Sequence, residues 1–164
     1  MTDVEKQIRL VNDFHIEAVL IGGFAAFIQG ASNLTRDLDI CYSRDDANLV
    51  RIVEALRSVA AALRGAPREL PFVLDERTLK RGLNFTFETN IGDFDLFGEV
   101  QGVGGYAECL RNSDEASILG ARYHILSLEK IITAKEAAGR PKDLLALPEL
   151  KAILELRKKG KTPG

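Results

Sequence analysis

The stretch that most constrains this chain is Ala18-Val19-Leu20-Ile21-Gly22-Gly23, followed after a polar turn by Asp37-Leu38-Asp39-Ile40. The apolar run reads as a buried, central strand. The glycine pair lets the backbone turn closely into a short helix. The second segment reads as another strand. Residues i and i+2 of a strand share a face, so Asp37 and Asp39 are expected side by side. Two like charges in that position repel unless a cation neutralises them. A hard divalent cation with oxygen ligands is the natural partner.

Periodicity organises the rest. Val4, Ile8 and Val11 mark an amphipathic helix over 3–14. A strand is predicted over 17–22, a short helix over 24–29 ended by Gly30, and a strand over 37–43. Asp45 and Asp46 favour a helix start. The stripe Leu49, Ile52, Val53, Leu56, Val59, Ala60 and Leu63 predicts that this helix runs to about Arg64, where Gly65 and Pro67 end it. A short strand over 70–74 and a helical turn over 75–81 follow. Leu83 to Thr89 alternates, Asn90-Ile91-Gly92-Asp93 signals a turn, and Phe94 to Val100 returns, so an antiparallel hairpin is expected. A short helix over 104–111 and one short strand within 115–126 come next. Ser127 is a plausible N-cap for a helix running to Gly139, and Pro141 opens a last helix ending near Lys159. The order α-β-α-β-α, hairpin, helices predicts an α+β fold: a mixed β-sheet with helices packed on it, plus C-terminal helices.

A chain of 164 residues suits one domain. A net charge of −2 supplies no global basic field of the kind that marks a nucleic-acid binder. Positive charge gathers instead near the C-terminus, in Lys130, Lys135, Arg140, Lys142, Lys151 and the run Arg157 to Lys161, whose end reads as a solvated tail. Cys41 and Cys109 lack metal-ligand spacing, which suits the reducing cytoplasm. Asp3 and Glu5 stand where a signal peptide carries basic residues, and no apolar run approaches a membrane span.

Asp95 is the third candidate carboxylate. It is flanked by Phe94, Leu96 and Phe97, and a carboxylate in so apolar a strand needs a partner or a purpose. Asp93 reads as a turn residue or as a further member of the cluster. If the 94–100 strand lies beside the 37–43 strand, Asp37, Asp39 and Asp95 together make a site for one or two Mg²⁺ ions, suited to phosphoryl or nucleotidyl transfer. Gly22 and Gly23, at a turn into a helix, offer backbone N–H groups to a phosphate. Lys135 falls on the stripe of Leu128, Ile131 and Ile132; it either snorkels past the core or reaches a phosphate or carboxylate. Arg140 is a candidate clamp for a triphosphate. Asp143 either starts the last helix or positions Lys135 and Arg140. Thr35 and Ser32 are candidate phosphate contacts or ordinary loop polarity. His15 and His124 read as structural or exposed.

The segment Ile21-Gly22-Gly23 … Thr35-Arg36-Asp37-Leu38-Asp39-Ile40, with Asp95 following on a later strand, resembles the signature of the polymerase-beta-like nucleotidyltransferase superfamily. Lys135-Glu136-Ala137-Ala138-Gly139-Arg140-Pro141-Lys142-Asp143 resembles the K-x-x-x-x-R-x-K-D segment of its AbiEii-type members. The resemblance implies one nucleotidyltransferase-like domain over 1–164, with a core at about 15–126 and C-terminal helices at about 127–160. It implies an NTP substrate, two Mg²⁺ ions, and transfer of a nucleoside monophosphate to an acceptor such as tRNA, another RNA or a protein. Asp37, Asp39 and Asp95 would be the catalytic and metal-binding residues. Gly22, Gly23, Thr35, Lys135 and Arg140 would bind the nucleotide. Toxins paired with an antitoxin partner occur in that subgroup. Gly23 stands where many members carry serine, which leaves backbone contacts only. The alternatives are a non-catalytic nucleotide-binding or regulatory module on the same fold, and an unrelated α+β domain with structural carboxylates.

Overall fold

The apolar run forms strand β1 (Ala18–Ile21) in the computed structural model, which describes residues 1–67 and 69–160. Helix α1 (Asp3–Asp13) precedes it. Thr2 and Glu5 cap α1 reciprocally: the Thr2 hydroxyl accepts from Glu5 N, and the Glu5 carboxylate accepts from Thr2 N. After β1 come α2 (Gly22–Ile28), β2 (Leu38–Tyr42) and α3 (Asp46–Ser58). The glycine pair is thus the first turn of α2, and Asp37 stands one residue ahead of its strand.

The first departure from the sequence reading follows α3. The helix stops at Ser58, short of Arg64. Ala60 takes a left-handed conformation, φ 53°, and Ala62–Leu63 forms β3, pairing with Glu88 and Phe87. The hydrophobic stripe continues past Ser58, but an open sheet edge offers backbone partners that a further helical turn does not, and tertiary pairing overrides local periodicity. The expected strand at 70–74 is irregular chain, leading into α4 (Glu76–Arg81), which Asp75 caps by accepting from Thr78 N at 2.8 Å.

The hairpin is present as β4 (Asn84–Thr89) and β5 (Gly92–Phe97). Asp93 lies within β5, not in the turn. The chain leaves the main sheet after Phe97, and β6 (Glu99–Val100) pairs with β7 (Gly104–Gly105) in a separate two-stranded ribbon. Then come α5 (Tyr106–Arg111), β8 (Ser113–Ile118), β9 (Ala121–Leu126), α6 (Leu128–Ala138) and α7 (Pro141–Lys159). Where one short strand was expected there are two, turning through Leu119 and Gly120, both at positive φ. A two-residue turn of that kind matches the twist of the strands it joins. Ser127 caps α6, and Gly139, φ 64°, ends it. Lys161, the last cation of the C-terminal run, lies outside the described residues.

The main sheet has seven strands in the order β3-β4-β5-β2-β1-β9-β8, mixed as expected. β1 runs antiparallel to β2 and parallel to β9, while β2 and β5 are parallel. One face carries Leu38, Ile40 and Tyr42 of β2, all fully buried; α1 lies on this side, where Tyr123 of β9 donates its hydroxyl to Ile8 O at 2.9 Å. The other face carries Asp39 and Cys41. Cys41 and Cys109 are free, fully buried thiols. Among the described residues, no helix is long and apolar enough to cross a membrane.

One buried amide fixes the strands that matter. Gln7 of α1 is fully buried. Its Nε2 donates to Ile91 O at 3.0 Å and Asp93 O at 2.7 Å, and its Oε1 accepts from Leu38 N at 2.9 Å. The amide ties the start of β2 to the start of β5, just ahead of the Asp39–Asp95 pair. Replacing Gln7 with Leu strands these backbone groups in a dry site, and a loss of about 2–3 kcal/mol in urea unfolding is expected.

Candidate active site

The parallel register of β2 and β5 sets Leu38 opposite Phe94 and Asp39 opposite Asp95. Ile21, the residue before the glycine pair, lies opposite Asp39 on the other side. Asp39 and Asp95 therefore sit on adjacent strands at one level of the sheet, with Gly22, the residue that follows β1, beside them. Gly22 has φ 67°, and a Cβ placed on it would run into the Asp39 carboxylate. Glycine is required there both for the turn and for the closeness of the carboxylate. Gly23 faces Thr35, whose Cβ would be 3.1 Å from a Cβ on Gly23. The Thr35 side chain fills the space a serine at 23 would use, and its hydroxyl accepts from Asp37 N at 3.3 Å.

The carboxylates crowd one another. Burial pushes Asp39 up to about 7, and the charges of Asp95 and Asp37 push the same way; Lys142 and Arg64 offset part of this. Burial also raises Asp37, with Asp93 and Asp95 adding to it and Arg64 opposing. The oxygen-only donor set suits a hard cation at Asp37 and Asp39. Yet among the described residues no three carboxylate, thiol or imidazole groups are grouped to hold a metal ion. Arg64 stands among these carboxylates. Its Nη2 donates to Asp95 Oδ1, and its Nε lies 3.2 Å from Asp93 Oδ2. Asp95 lies where the resemblance asks for it, but its charge is already paired.

A cavity of about 320 Å³ opens on the Asp39 face, between the sheet and α6. Gly22, Asp39, Gln101, Lys135, Arg140 and Asp143 contribute its polar groups, and Ile21, Phe97, Val100, Leu126, Ile131, Ala134 and Ala138 its apolar walls. Lys135 also borders a neighbouring cleft with Gly23 and Thr35. Both expectations for Asp143 are met. As a residue of the first turn of α7 it accepts from Arg140 N at 3.2 Å. Its buried carboxylate also accepts from Arg140 Nε at 2.7 Å and lies 3.7 Å from Lys135 Nζ. Burial pushes Asp143 up, but the hydrogen bonds and charges of Arg140 and Lys135 outweigh it and hold the carboxyl below the usual range.

Placement varies among the weaker candidates. Ser32 donates to Glu149 Oε2 at 2.7 Å, so a structural partner already engages it. His15 is exposed, and His124 Nδ1 is 3.4 Å from Ser113 Oγ. Two residues with a bearing on the site, Gln7 and Arg64, have no place in the sequence reading, and Lys142 appears there without a role of its own. Lys142 lies inside the C-terminal motif, which was the available signal. Gln7 is a polar residue flanking the apolar stripe of α1, and Arg64 carried no signal while its segment read as helix.

No family model matches the sequence, and no curated protein matches it. Among solved structures, lincosamide antibiotic adenylyltransferase LnuA in its lincomycin-bound form is similar with a TM-score of 0.61, at 14% identity, over 92% of this chain and 96% of that one. A Thermotoga maritima protein described as a candidate nucleotidyltransferase is similar with a TM-score of 0.54, at 16% identity, over 91% and 94% of the two chains. These likenesses carry no information on the AbiEii-type subgroup. What the chain shares with both is its architecture: the protein has a nucleotidyltransferase fold.

Proposed function

We propose that this protein is a metal-dependent nucleotidyltransferase. An acceptor hydroxyl attacks the α-phosphorus of an NTP, the bond from that phosphorus to the bridging oxygen breaks, and pyrophosphate leaves. The observation that carries the reading is the register that sets Asp39 beside Asp95 while Gly22 lies against Asp39. Asp37 and Asp39 would hold Mg²⁺; two ions require Asp95 as well. A divalent cation held there would supply Lewis-acid stabilisation of the charge that develops on the phosphates and the leaving group. Gly22 and Gly23 would present backbone N–H groups to the phosphates, with Thr35 supplying the hydroxyl that position 23 lacks. Lys135 and Arg140 would balance the triphosphate charge, held in readiness by Asp143. Asp95 would accept the hydrogen bond of the attacking hydroxyl once Arg64 releases it.

The resemblance proposes tRNA, another RNA or a protein as acceptor, and a toxin role with an antitoxin partner. The apolar-walled cavity beside Asp39 favours a second reading of the acceptor: a small hydroxyl-bearing molecule with an apolar body, since such cavities suit small ligands and the chain's net charge of −2 offers RNA little. The test is incubation with Mg²⁺ and each α-³²P-labelled NTP in the presence of bulk tRNA, the protein itself, or small amphipathic alcohols such as lincomycin. Labelled acceptor and pyrophosphate are expected in step. Nucleotide binding with no label transferred to any acceptor would instead identify a non-catalytic nucleotide-binding module. In the same assay Lys135→Met should raise KM for the NTP about tenfold or more, the value of one charged hydrogen bond to phosphate, with a smaller change in kcat.

A further inference from the structure

The carboxylate cluster already contains a cation. Arg64 follows β3 at the sheet edge, and its backbone N donates to Thr86 O at 2.9 Å. Thr86 is the residue of β4 that pairs with Asp95, so the backbone fixes Arg64 at the level of Asp95 with one strand, β4, between them. The side chain is then held by two hydrogen bonds, Nη2 donating to Phe87 O at 3.0 Å and to Asp95 Oδ1, while Nε lies 3.2 Å from Asp93 Oδ2 as an ion pair without hydrogen-bond geometry. The Asp95 side chain is 16% exposed and the Arg64 side chain 33%. A guanidinium anchored in this way neutralises Asp95 and repels a divalent ion at the same oxygens. Among the described residues, Asp37 and Asp39 have no such hydrogen-bonded ion-pair partner.

We infer that Arg64 takes the place of a metal ion at Asp95, so that the protein without nucleotide holds one divalent cation, on Asp37 and Asp39, and a second position opens only when the Arg64–Asp95 pair is broken. The inference rests on the proposed metal-dependent reading and specifies how its metal count is set. Arg64 is a positioning residue here: it acts through Asp95 and fixes which carboxylates are free.

The test counts bound ions without turnover. Mn²⁺ is titrated into the full chain and free Mn²⁺ is followed by electron paramagnetic resonance. One equivalent is expected for the wild type and for Arg64→Lys, which keeps the charge. Two equivalents are expected for Arg64→Gln, with circular dichroism showing that the variant is folded. Asp95→Asn gives an independent reading should Arg64→Gln fail to fold: it should still bind one equivalent with affinity within about threefold of wild type, while Asp39→Asn loses it. Two equivalents in the wild type, one in folded Arg64→Gln, or loss of binding in Asp95→Asn would each overturn the role of Arg64. No Mn²⁺ binding by the wild type would overturn the metal-dependent reading itself, which separates the two failures.

Discussion

Asp39→Asn is expected to abolish nucleotidyl transfer, by about a thousandfold, and to make the protein more stable at pH 8. The two effects have one cause. Asp39 is raised from 3.8 to about 7 by burial and by Asp95 and Asp37. Between those values the folded state holds a proton that the unfolded state has released. Stability therefore falls as pH rises, and the loss is complete above about 7. At roughly 1.4 kcal/mol per pH unit, the ionised Asp39 costs the native state up to about 4 kcal/mol. Asparagine carries no such cost. Urea unfolding should show the variant ahead of wild type by the largest margin at pH 8, by less at pH 5, and by little near pH 3. Added Mg²⁺ should raise the wild-type midpoint, because a ligand that binds only the native state stabilises it, and leave the variant unmoved. A variant less stable than wild type at pH 8 would contradict this account, since it would mean that the carboxylate is well satisfied where it stands.

The second large effect is expected for Gly22→Ala. Gly22 has φ 67°, where an L-residue costs about 1–2 kcal/mol. The new Cβ would also meet the Asp39 carboxylate, so the carboxylate must turn away from its place beside Asp95. A total loss of about 2–3 kcal/mol in urea unfolding is expected, with transfer reduced about a hundredfold as the carboxylate proposed to hold the metal is displaced. Gly120→Ala is the matching control. Gly120 has φ 81° but nothing within 4 Å of a Cβ, so it should show the backbone cost alone, near 1 kcal/mol, with transfer unchanged. Equal losses at the two sites would show that the Asp39 contact carries no weight.

The glycine turn and the twin aspartates were legible because their signals are local. Apolar continuity marks β1, glycine marks the turn, and two-residue spacing keeps Asp37 and Asp39 close along the chain, although Asp37 stands just ahead of β2. Ser127 and Gly139 likewise mark the ends of α6 through groups the helix itself leaves unsatisfied. The end of α3 was not legible: its stripe runs on to Leu63, and only the unpaired edge of β4 draws Ala62 and Leu63 out of the helix. That event delivers Arg64 to Asp95, which is why the arginine left no trace in the sequence pattern. The split of 113–126 into two strands depended in the same way on Leu119 accepting a left-handed conformation.

The sequence by itself determined which carboxylates, glycines and cations this protein has to work with, and which of them are neighbours along the chain. The tertiary structure alone decided that Asp39 and Asp95 share a register, that Gln7 ties their strands together, and that Asp143 holds Lys135 and Arg140 at the rim of a cavity ending at Asp39. It also decided that Asp95 is paired with Arg64. Side chains that repeat with the period of a strand or helix are ordered by backbone geometry. Partners brought together across 31 residues, as Arg64 and Asp95 are, are chosen by which edges and faces remain unsatisfied when the sheet assembles.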